Sequence, residues 1–332
     1  MSEMIMSIIL GNTELKNGLF LAPMAGYTDR AMRHICHLHG AEASVTEMVS
    51  ATAVAYGDKK TFDLARILPD EGPVMLQIFG KDPSVMAESA AKLYEAAQTK
   101  PIAIDVNMGC PVKKIFSNGE GSALMRSPEL IEKIVAAIRC AIPIPVTVKM
   151  RAGISSSSIN APECALAAES GGASFITLHG RTREQLYGGL ADREIIKNIK
   201  SCLHIPLIAN GDVIDSASAI AMLKETGADG IAIGRGAVGN PFVFEEIAAA
   251  IEGNHYTPPT LDERCETALL QLSVAIEEKG ERCAVNEARK QIALFLRSFR
   301  GAARIRAEIN RAETYEEVKK ALLSGIREQD EK

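Results

Sequence analysis

The sequence has no excess of positive charge, no long apolar run and no paired cysteine motif. Its formal net charge of −5 excludes a chain that binds nucleic acid as a uniform polycation, so any nucleic-acid site must come from local clusters. No segment is long and apolar enough to span a membrane, and the first ten residues lack the basic segment and cleavage site of a signal peptide. We therefore expect no membrane partner.

Cysteine usage indicates the compartment. Seven cysteines, an odd number without a CxxC pair, argue against a disulfide framework and for a reducing environment. We therefore expect a cytoplasmic protein. Six thiols fall in helical contexts and are expected to be packing residues: Cys36, Cys140, Cys164, Cys202, Cys265 and Cys283. The seventh, Cys110, lies in a loop context that is expected to expose it.

Eight short apolar runs are each followed by a helical pattern, and several are near-continuous in Val, Ile and Leu, as in buried parallel strands. They cover Gly18–Met24, Ala43–Val49, Pro73–Phe79, Ile102–Asn107, Pro145–Met150, Phe175–His179, Pro206–Asn210 and Gly230–Ile233. The amphipathic segments between them include Asp82–Thr99, Ser127–Ile142, Asp192–Ser201 and Ser216–Gly227. This order predicts an α/β fold, a closed (β/α)₈ TIM barrel, with a doubly wound sheet as the competitor.

The pattern changes after Gly253. Residues 254–260 indicate a linker, and the chain beyond them is helical without a strand pattern. We predict a barrel domain over residues 1–253 and a small C-terminal helical domain over residues 254–332. Basic residues of this second domain fall at helical spacing: Lys290, Arg297, Arg300 and Arg304, with Arg289 and Arg306 adjacent. They form either a solvated helix face or a phosphate-binding stripe.

The stretch from Ile104 to Leu124 is the centre of the predicted chemistry. Its β-branched run stops at Asn107, and Gly109 and Pro111 end the strand. Cys110 is therefore predicted to lie at the carboxyl end of a barrel strand, where barrels of this kind keep their catalytic groups.

Other predicted strands also end in polar residues or glycine, which packing alone does not explain, because branched apolar side chains fill the rest of a barrel interior. They include Gln77, Asn107, Lys149, Arg151, His179, Asn210, Asp212 and Arg235. Lys149 and His179 could each be an ordinary solvated or hydrogen-bonded side chain. Inside such a ring, Lys149 could instead hold negative charge on a cofactor.

The last two loops have the glycine content of a phosphate site, which barrels often place after strands seven and eight. Gly234–Gly239 matches GxGxxG, but it follows the last strand of the array, so we reject a dinucleotide site. Arg235 suits the phosphate of a mononucleotide. His34, His37 and His39 suggest zinc, but they share one helix and no paired set completes four ligands, so we expect no metal.

Together these motifs resemble the tRNA-dihydrouridine synthases, FMN-dependent flavoproteins that reduce selected uridines in transfer RNA. The matches are LAPMAGYTD at Leu21–Asp29, QIFG at Gln77–Gly80, DVNMGCPVKK at Asp105–Lys114, GEGSALM at Gly119–Met125, VKMRAG at Val148–Gly153, LHGRTREQLYGG at Leu178–Gly189, NGD at Asn210–Asp212 and GIAIGRGAVGNP at Gly230–Pro241. The C-terminal ARKQIALFLRSFRGAARIR also resembles the family, except that Gln291, Leu294 and Phe295 replace the more usual His and Trp-Tyr. This departure concerns contacts to RNA and not the fold.

The resemblance implies a role for each matching position. Cys110 would donate a proton, and Asn107 and Arg181 would meet the target uracil. FMN would be held by Pro23, Met24, Ala25, Gln77, Lys149, His179, Asn210, Gly211, Asp212, Gly234 and Arg235. The phosphates of tRNA would meet Arg289, Lys290, Arg297, Arg300 and Arg304. NADPH or NADH is the expected reductant, and no obligatory protein partner is evident.

The chemistry of the reaction agrees with a thiol at position 110. Saturating the C5–C6 bond of uracil takes a hydride at C6, which a flavin supplies, and a proton at C5. A thiol of ordinary pKa, near 8.5, is mostly protonated at neutral pH, so Cys110 would be a competent acid.

Three alternatives remain open on the sequence. An FMN barrel acting on a free pyrimidine, of dihydroorotate dehydrogenase type, would share the flavin residues without needing a basic helical domain. A second is an RNA-binding flavoprotein whose binding matters more than its catalysis. A third is an aldolase with Lys149 as its Schiff base.

Overall fold

The computed structural model describes residues 7–297, 299 and 301–330 and, of these, the side chains up to residue 324. The strands in this part of the chain are β1 (Ile8–Leu10), β2 (Thr13–Leu15), β3 (Leu19–Leu21), β4 (Ala43–Val45), β5 (Val49–Ser50), β6 (Val74–Phe79), β7 (Ala103–Met108), β8 (Val146–Arg151), β9 (Gly153–Ser155), β10 (Ser158–Ile159), β11 (Ile176–His179), β12 (Leu207–Asn210) and β13 (Gly230–Ile233). Eight of them, β3, β4, β6, β7, β8, β11, β12 and β13, pair in parallel around a ring.

The ring of strands closes on itself. β13 lies beside β3, with Ile231 opposite Leu19, and β4 pairs directly with β6. The predicted (β/α)₈ TIM barrel is therefore confirmed, and the doubly wound sheet, which would have open edges, is excluded. The strand predicted over residues 43–49 is shorter than expected, because the chain leaves the sheet after β4 and re-enters it as β5.

Helices surround the barrel. In chain order they are α1 (Arg30–Leu38), α2 (Ala51–Ala55), α3 (Lys59–Leu64), α4 (Pro83–Ala96), α5 (Lys113–Ser117), α6 (Pro128–Ala141), α7 (Ala161–Ser170), α8 (Arg193–Lys200), α9 (Ser216–Thr226) and α10 (Val243–Glu252). The predicted start of α4 is confirmed, since the Asp82 carboxylate accepts the N–H groups of Ser84 and Val85 and Pro83 opens the first turn. Within the described ranges, no helix combines the length and apolarity needed to cross a membrane.

The barrel interior is divided into an apolar and a polar half. Phe20, Met75 and Phe175 belong to an apolar cluster that also contains residues of the β1–β2 hairpin. Ala103 of β7 belongs to the same apolar cluster. Because side chains alternate along a strand, the following β7 residues that point into the barrel on this side are Asp105 and Asn107. The polar half therefore lies toward the carboxyl ends of the strands, which is where the sequence places the candidate site.

Further helices follow the barrel: α11 (Leu261–Lys279), α12 (Glu281–Ile292), α13 (Ala302–Ile309) and α14 (Tyr315–Asp330). They enclose an apolar cluster that also contains Ala31 and Phe242 of the barrel. Lys279 Nζ donates to Asp29 Oδ2 at 2.7 Å and to Glu287 Oε2 at 2.8 Å. The helical segment is therefore fastened to the start of α1 by both apolar packing and ion pairs.

The helical spacing predicted for the basic residues of this segment is wrong. α12 ends at Ile292 and α13 begins only at Ala302, so Lys290 and Arg304 lie on different helices and Arg297 lies in the turn between them. The turn is helped by Gly301, whose φ of +87° a side chain would disfavour. Arg300 lies outside the described residues.

A buried ion pair stabilises the first barrel helix. Arg33 Nε donates to Glu71 Oε2 at 2.6 Å, and both side chains are almost completely buried. Arg33 also donates to Thr28 O, and the second Glu71 oxygen accepts from Leu68 N. Removing one partner would leave the other as an uncompensated buried charge.

We predict that Glu71→Ala lowers the free energy of unfolding by about 3–5 kcal/mol, measured by urea titration. Asp70→Ala is the control, since this carboxylate pairs with Arg30 but is 42% exposed, and its removal should cost less than about 1 kcal/mol. Equal losses in the two variants would contradict the assignment.

Candidate active site

The strand register brings the predicted polar residues together at one end of the barrel. Parallel neighbours in register are Gln77 and Asp105, Asn107 and Lys149, Arg151 and His179, and His179 and Asn210. These pairs come from consecutive strands of the ring, so their side chains surround the barrel mouth. The sequence could locate the residues on their strands, and the register now shows which of them are adjacent.

A chain of hydrogen bonds crosses the mouth. Thr147 Oγ1 and Gln77 Nε2 each donate to the Asp105 carboxylate at 2.6 Å. Gln77 Oε1 accepts from Asn107 Nδ2 at 2.8 Å, and Asn107 Oδ1 accepts from the backbone of Cys110 at 2.9 Å. Asp105 and Thr147 were not among the predicted site residues. Their spacing could have indicated them. Asp105 lies two residues before Asn107, and Thr147 two residues before Lys149, so each points to the same face of its strand as the predicted site residue.

Cys110 is buried, with 8% of its surface exposed, so the expectation of an exposed thiol is wrong. The start of the 3₁₀ helix Gly121–Arg126 packs over Cys110. A Cβ on Gly121 would lie only 3.1 Å from the Cys110 Cβ. Ser122 fixes this contact by donating to Cys110 O at 2.8 Å. Burial raises the pKa of the Cys110 thiol, which keeps it protonated at neutral pH.

The other cysteines divide into two groups. Cys36, Cys164 and Cys265 are buried, as packing residues should be. The same expectation is wrong for three that are exposed: Cys140, Cys202 and Cys283. A helical context does not say which face of the helix a residue occupies.

Arg151 connects two loops of the mouth. Its Nε donates to Gly109 O at 2.9 Å, beside the thiol, and its Nη1 donates to Thr182 O and Leu186 O. The sequence placed Arg151 at a strand end without a role. The structure shows that its buried guanidinium holds the loop of Cys110 against the loop that follows β11.

Lys149 is a half-buried cation beside the thiol. Within the described part of the chain, no carboxylate or carbonyl lies within hydrogen-bond or ion-pair distance of its Nζ. Burial, helped by the neighbouring charge of Arg151, lowers the pKa of Lys149 to about 8. Asp105 and Cys110 oppose this shift only in part, so the cation suits a ligand that carries or gains negative charge.

His179 is a neutral imidazole. Burial and the surrounding charges of Lys149, Arg151 and Arg181 lower the pKa of His179 to about 2. Its Nε2 lies 3.3 Å from Arg181 Nη1, and because a guanidinium only donates, the ring must accept there. Gly211 approaches the same ring so closely that a Cβ would lie 3.1 Å from His179 Cδ2.

Arg181 is fully buried and fixed by its surroundings. It donates to Gly188 O, Gly189 O and Asp212 Oδ1. The Asp212 carboxylate also accepts from Ala191 N at 2.7 Å and lies 3.7 Å from Arg235 Nη2. Burial acts to raise the pKa of Asp212, but these hydrogen bonds and charges outweigh it and hold the pKa below its usual value. Asp212 therefore orients two arginines.

The first and last barrel loops meet at the mouth. A Cβ on Gly234 would lie 3.4 Å from Met24 Sδ. Thr28 holds the turn that contains Pro23, Met24 and Ala25, since its Oγ1 accepts from Met24 N at 3.0 Å. Asn210 donates to Ala232 O at 2.7 Å, which links β12 to β13 below this contact. The predicted cofactor residues of these loops are thus neighbours.

The predicted RNA-binding residues have different surroundings. Arg289 donates twice to Ala312 O, so its guanidinium serves the fold of the helical segment. Lys290 Nζ lies 4.4 Å from the centre of the Tyr27 ring, at the edge of the barrel mouth. Arg297 is exposed, and Arg304 is exposed with Glu308 at 3.6 Å. Lys290 therefore connects the helical segment to the first barrel loop, which Lys279 also reaches through Asp29.

The three histidines in and just after α1 do not converge. His34 Nδ1 lies 2.7 Å from Asp70 O, His37 Nδ1 lies 3.3 Å from Ala41 O, and His39 Nδ1 lies 2.7 Å from Glu245 Oε1. Each imidazole therefore has its own partner.

Comparison with known proteins decides the family. A family model described as dihydrouridine synthase (Dus) matches residues 20–330. The chain belongs to the dihydrouridine synthase family. This membership makes it an oxidoreductase.

Individual relatives agree with the family model. A probable tRNA-dihydrouridine synthase of Rickettsia conorii is 38% identical over 305 residues, which is 91% of this chain and 91% of that protein. A tRNA-dihydrouridine synthase B of Shewanella oneidensis is 38% identical over 306 residues, 92% of this chain and 94% of that protein.

Solved structures support the fold. A histamine dehydrogenase from Rhizobium sp. 4-9 superposes with a TM-score of 0.57 at 12% identity, over 81% of this chain and 50% of that one. An old yellow enzyme homologue from Zymomonas mobilis has a TM-score of 0.50 at 12% identity, over 79% of this chain and 96% of that one. At such identities the likeness concerns the fold alone.

We predict that Lys149→Met stabilises the protein without bound cofactor by up to about 3 kcal/mol at pH 7, because burial of this cation outweighs its attraction to Asp105 and Cys110. The folded lysine loses its proton near pH 8 and the unfolded one near 10.5, so the gain should be full below pH 8 and vanish as the pH rises through 10.5. Urea titrations across this range measure it.

Lys197→Met, on an exposed face of α8, is the matched control and should change stability little. If Lys149→Met instead destabilised the protein at pH 7, the lysine would have a stabilising partner and the assignment would fail.

Proposed function

We propose that this chain is an FMN-dependent tRNA-dihydrouridine synthase, which reduces the C5–C6 bond of specific uridines in tRNA with NADPH or NADH. One observation carries the proposal: a buried thiol, Cys110, just after β7, and a cation that burial disfavours, Lys149, near the end of the neighbouring β8, lie at the same barrel mouth. The relatives named tRNA-dihydrouridine synthases support the substrate class. NADPH would share the mouth, since the sequence has no separate nicotinamide motif.

The residues of the mouth fit FMN. Lys149 would balance negative charge on the flavin ring, since Asp105 and Cys110 offset its burial only in part. Gln77 would donate to the ring, and the neutral His179 would lie beside it. Pro23, Met24 and Ala25 would meet the ring through backbone and packing. When bound, FMN supplies the hydride for C6 of uracil.

The phosphate end would lie at the last two loops. Gly211 lets the loop after β12 pack against His179, Gly234 lies beside Met24, and Asn210 supports the strand end. Arg235 is 56% exposed, lies between Asp212 and the Tyr187 ring, and would pair with a phosphate. Asp212 would therefore contribute through Arg235 and its own backbone, because its carboxylate would repel a phosphate.

Cys110 would donate the proton to C5. Its raised pKa keeps Sγ protonated before the reaction, and the thiolate that remains afterwards would face the charges of Lys149 and Arg151. Asn107 Nδ2 keeps one N–H after bonding Gln77 and would donate it to a carbonyl oxygen of the uracil. Arg181 Nη1 donates one N–H to His179 Nε2, and its second N–H would point to the same uracil site.

We assign catalysis to residues 1–253 and tRNA binding to residues 254–332. A uridine must leave its stack to reach a barrel mouth, at a cost of a few kcal/mol, and phosphate contacts can offset this cost. Exposed Lys290, Arg297 and Arg304, the last beside Glu308, would make such contacts, whereas Arg289 would support the domain. Arg300 belongs to this proposal on the sequence alone.

Visible spectroscopy of the purified protein tests the proposal. We expect flavin absorption that bleaches anaerobically with NADPH and returns when unmodified tRNA is added. Cys110→Ala should keep the flavin and its bleaching but lose tRNA reduction by about 10²-fold or more, because the acid is missing. Cys140→Ala, which removes an exposed thiol, is the matched control and should behave as the unchanged protein.

Other outcomes would favour the alternatives. Bleached flavin that ignores tRNA but returns with free uracil or orotate would identify a free-pyrimidine enzyme. Full tRNA reduction by Cys110→Ala would remove the acid role, and protein that never binds flavin would overturn the proposal.

We further predict that Lys290→Ala and Arg297→Ala each weaken tRNA binding for all sequences and lower the slope of log K against log salt by about 1. Arg139→Ala removes an exposed charge from the end of α6, at the opposite end of the barrel, and should leave the slope unchanged. An unchanged slope in all three variants would place the phosphate contacts elsewhere. Binding measured over a series of salt concentrations gives these slopes.

A further inference from the structure

Asp105 is a buried carboxylate beneath the barrel mouth. It is 2% exposed, and both of its oxygens accept short hydrogen bonds, from Thr147 and from Gln77. Burying a carboxylate is costly, and two hydrogen bonds offset only part of that cost. The groups that face it include the cation of Lys149, on the neighbouring strand.

The hydrogen-bond chain that begins at Asp105 has the same polarity from both ends. Burial raises the pKa of the Asp105 carboxyl, and the hydrogen bonds from Gln77 and Thr147 and the charge of Lys149 oppose that rise. One Asp105 oxygen accepts from Thr147 and the other from Gln77, so Gln77 turns its Nε2 toward Asp105 and its Oε1 toward Asn107. At the far end, the backbone N–H groups of Gly109 and Cys110 can only donate, so Asn107 must turn its Oδ1 toward them. The two requirements agree, and neither amide can flip without placing donor against donor.

We propose that Asp105 is a positioning residue: it anchors Gln77 so that Gln77 holds Asn107, and Asn107 in turn holds the backbone of Cys110 under the Gly121–Arg126 turn. The inference deepens the proposed function, since it gives the acid its place. It also fixes Gln77 and Asn107 as donors, because the second N–H of each amide has no acceptor among the residues described. Both amides would therefore face carbonyl oxygens of the flavin or the uracil.

The reactivity of the Cys110 thiol reports this role directly. If the chain breaks, the loop keeps only its bonds to Arg151 and Ser122, the thiol gains solvent, and its pKa falls toward the ordinary value beside the charges of Lys149 and Arg151. A fall of one pH unit raises the thiolate fraction about tenfold at a pH below the thiol pKa. The measurement is the iodoacetamide alkylation rate of the Cys110 peptide against pH, followed by mass spectrometry on protein saturated with FMN.

Asp105→Leu removes the acceptor and is expected to speed this alkylation about tenfold at pH 8. Gln77→Met cuts the next link with a side chain of similar size and should give the same increase. Asp105→Asn keeps an oxygen that can accept from Gln77, so it should remain close to the unchanged protein. Thr147→Val removes a donor on the other side of Asp105 and should also leave Cys110 unaffected.

The double variant Asp105→Leu with Gln77→Met makes the test specific. Because the two residues act through one chain, the double variant should alkylate no faster than either single variant. Rates that multiply would mean two independent packing effects and would overturn the proposal. So would an unchanged Cys110 profile in Gln77→Met, which decides the matter even if Asp105→Leu does not fold.

The readout is independent of RNA reduction. A protein that failed to reduce tRNA but showed the coupled alkylation pattern would retain the positioning role and lose the proposed substrate. A protein that reduced tRNA but showed independent alkylation effects in the two variants would keep the proposed substrate and lose the positioning role of Asp105.

Discussion

The polar half of the barrel interior is the constraint on which the remaining site geometry depends. Buried donors and acceptors must find partners within the protein, since water is largely excluded. Consecutive strands supply these partners in register, so Asp105, Gln77 and Asn107 form one chain from strand to strand. The thiol loop is attached to the end of this chain, and Arg151 attaches it a second time through Gly109 O.

Lys149 departs from this rule of full pairing. Nearby acceptors bind other donors, and the cation is left facing the mouth at a cost to stability. Such a cost is common where a protein is shaped for a ligand that arrives later. The neutral His179 and the protonated Cys110 complete a site whose charges are set by burial more than by their own chemistry.

The fold could be predicted from the sequence because eight apolar runs alternate with helical patterns, and that period leaves few architectures. The strand ends that carry Asn107, Lys149 and His179 could be predicted for the same reason. Burial of Cys110 could not, because it depends on a turn eleven residues further along the chain at Gly121. The end of α12, which separates Lys290 from Arg304, could not be predicted either. Helical spacing in a sequence does not reveal where a helix ends.

The covering of Cys110 has a chemical consequence beyond proton donation. Oxidants attack thiolates that are exposed to solvent. Cys110 is buried and its pKa is raised, so it has both little solvent access and a small thiolate fraction. Exposed Cys140, Cys202 and Cys283 are better targets. Under oxidative stress the surface thiols would therefore be modified first, and the group that the reaction needs would be spared.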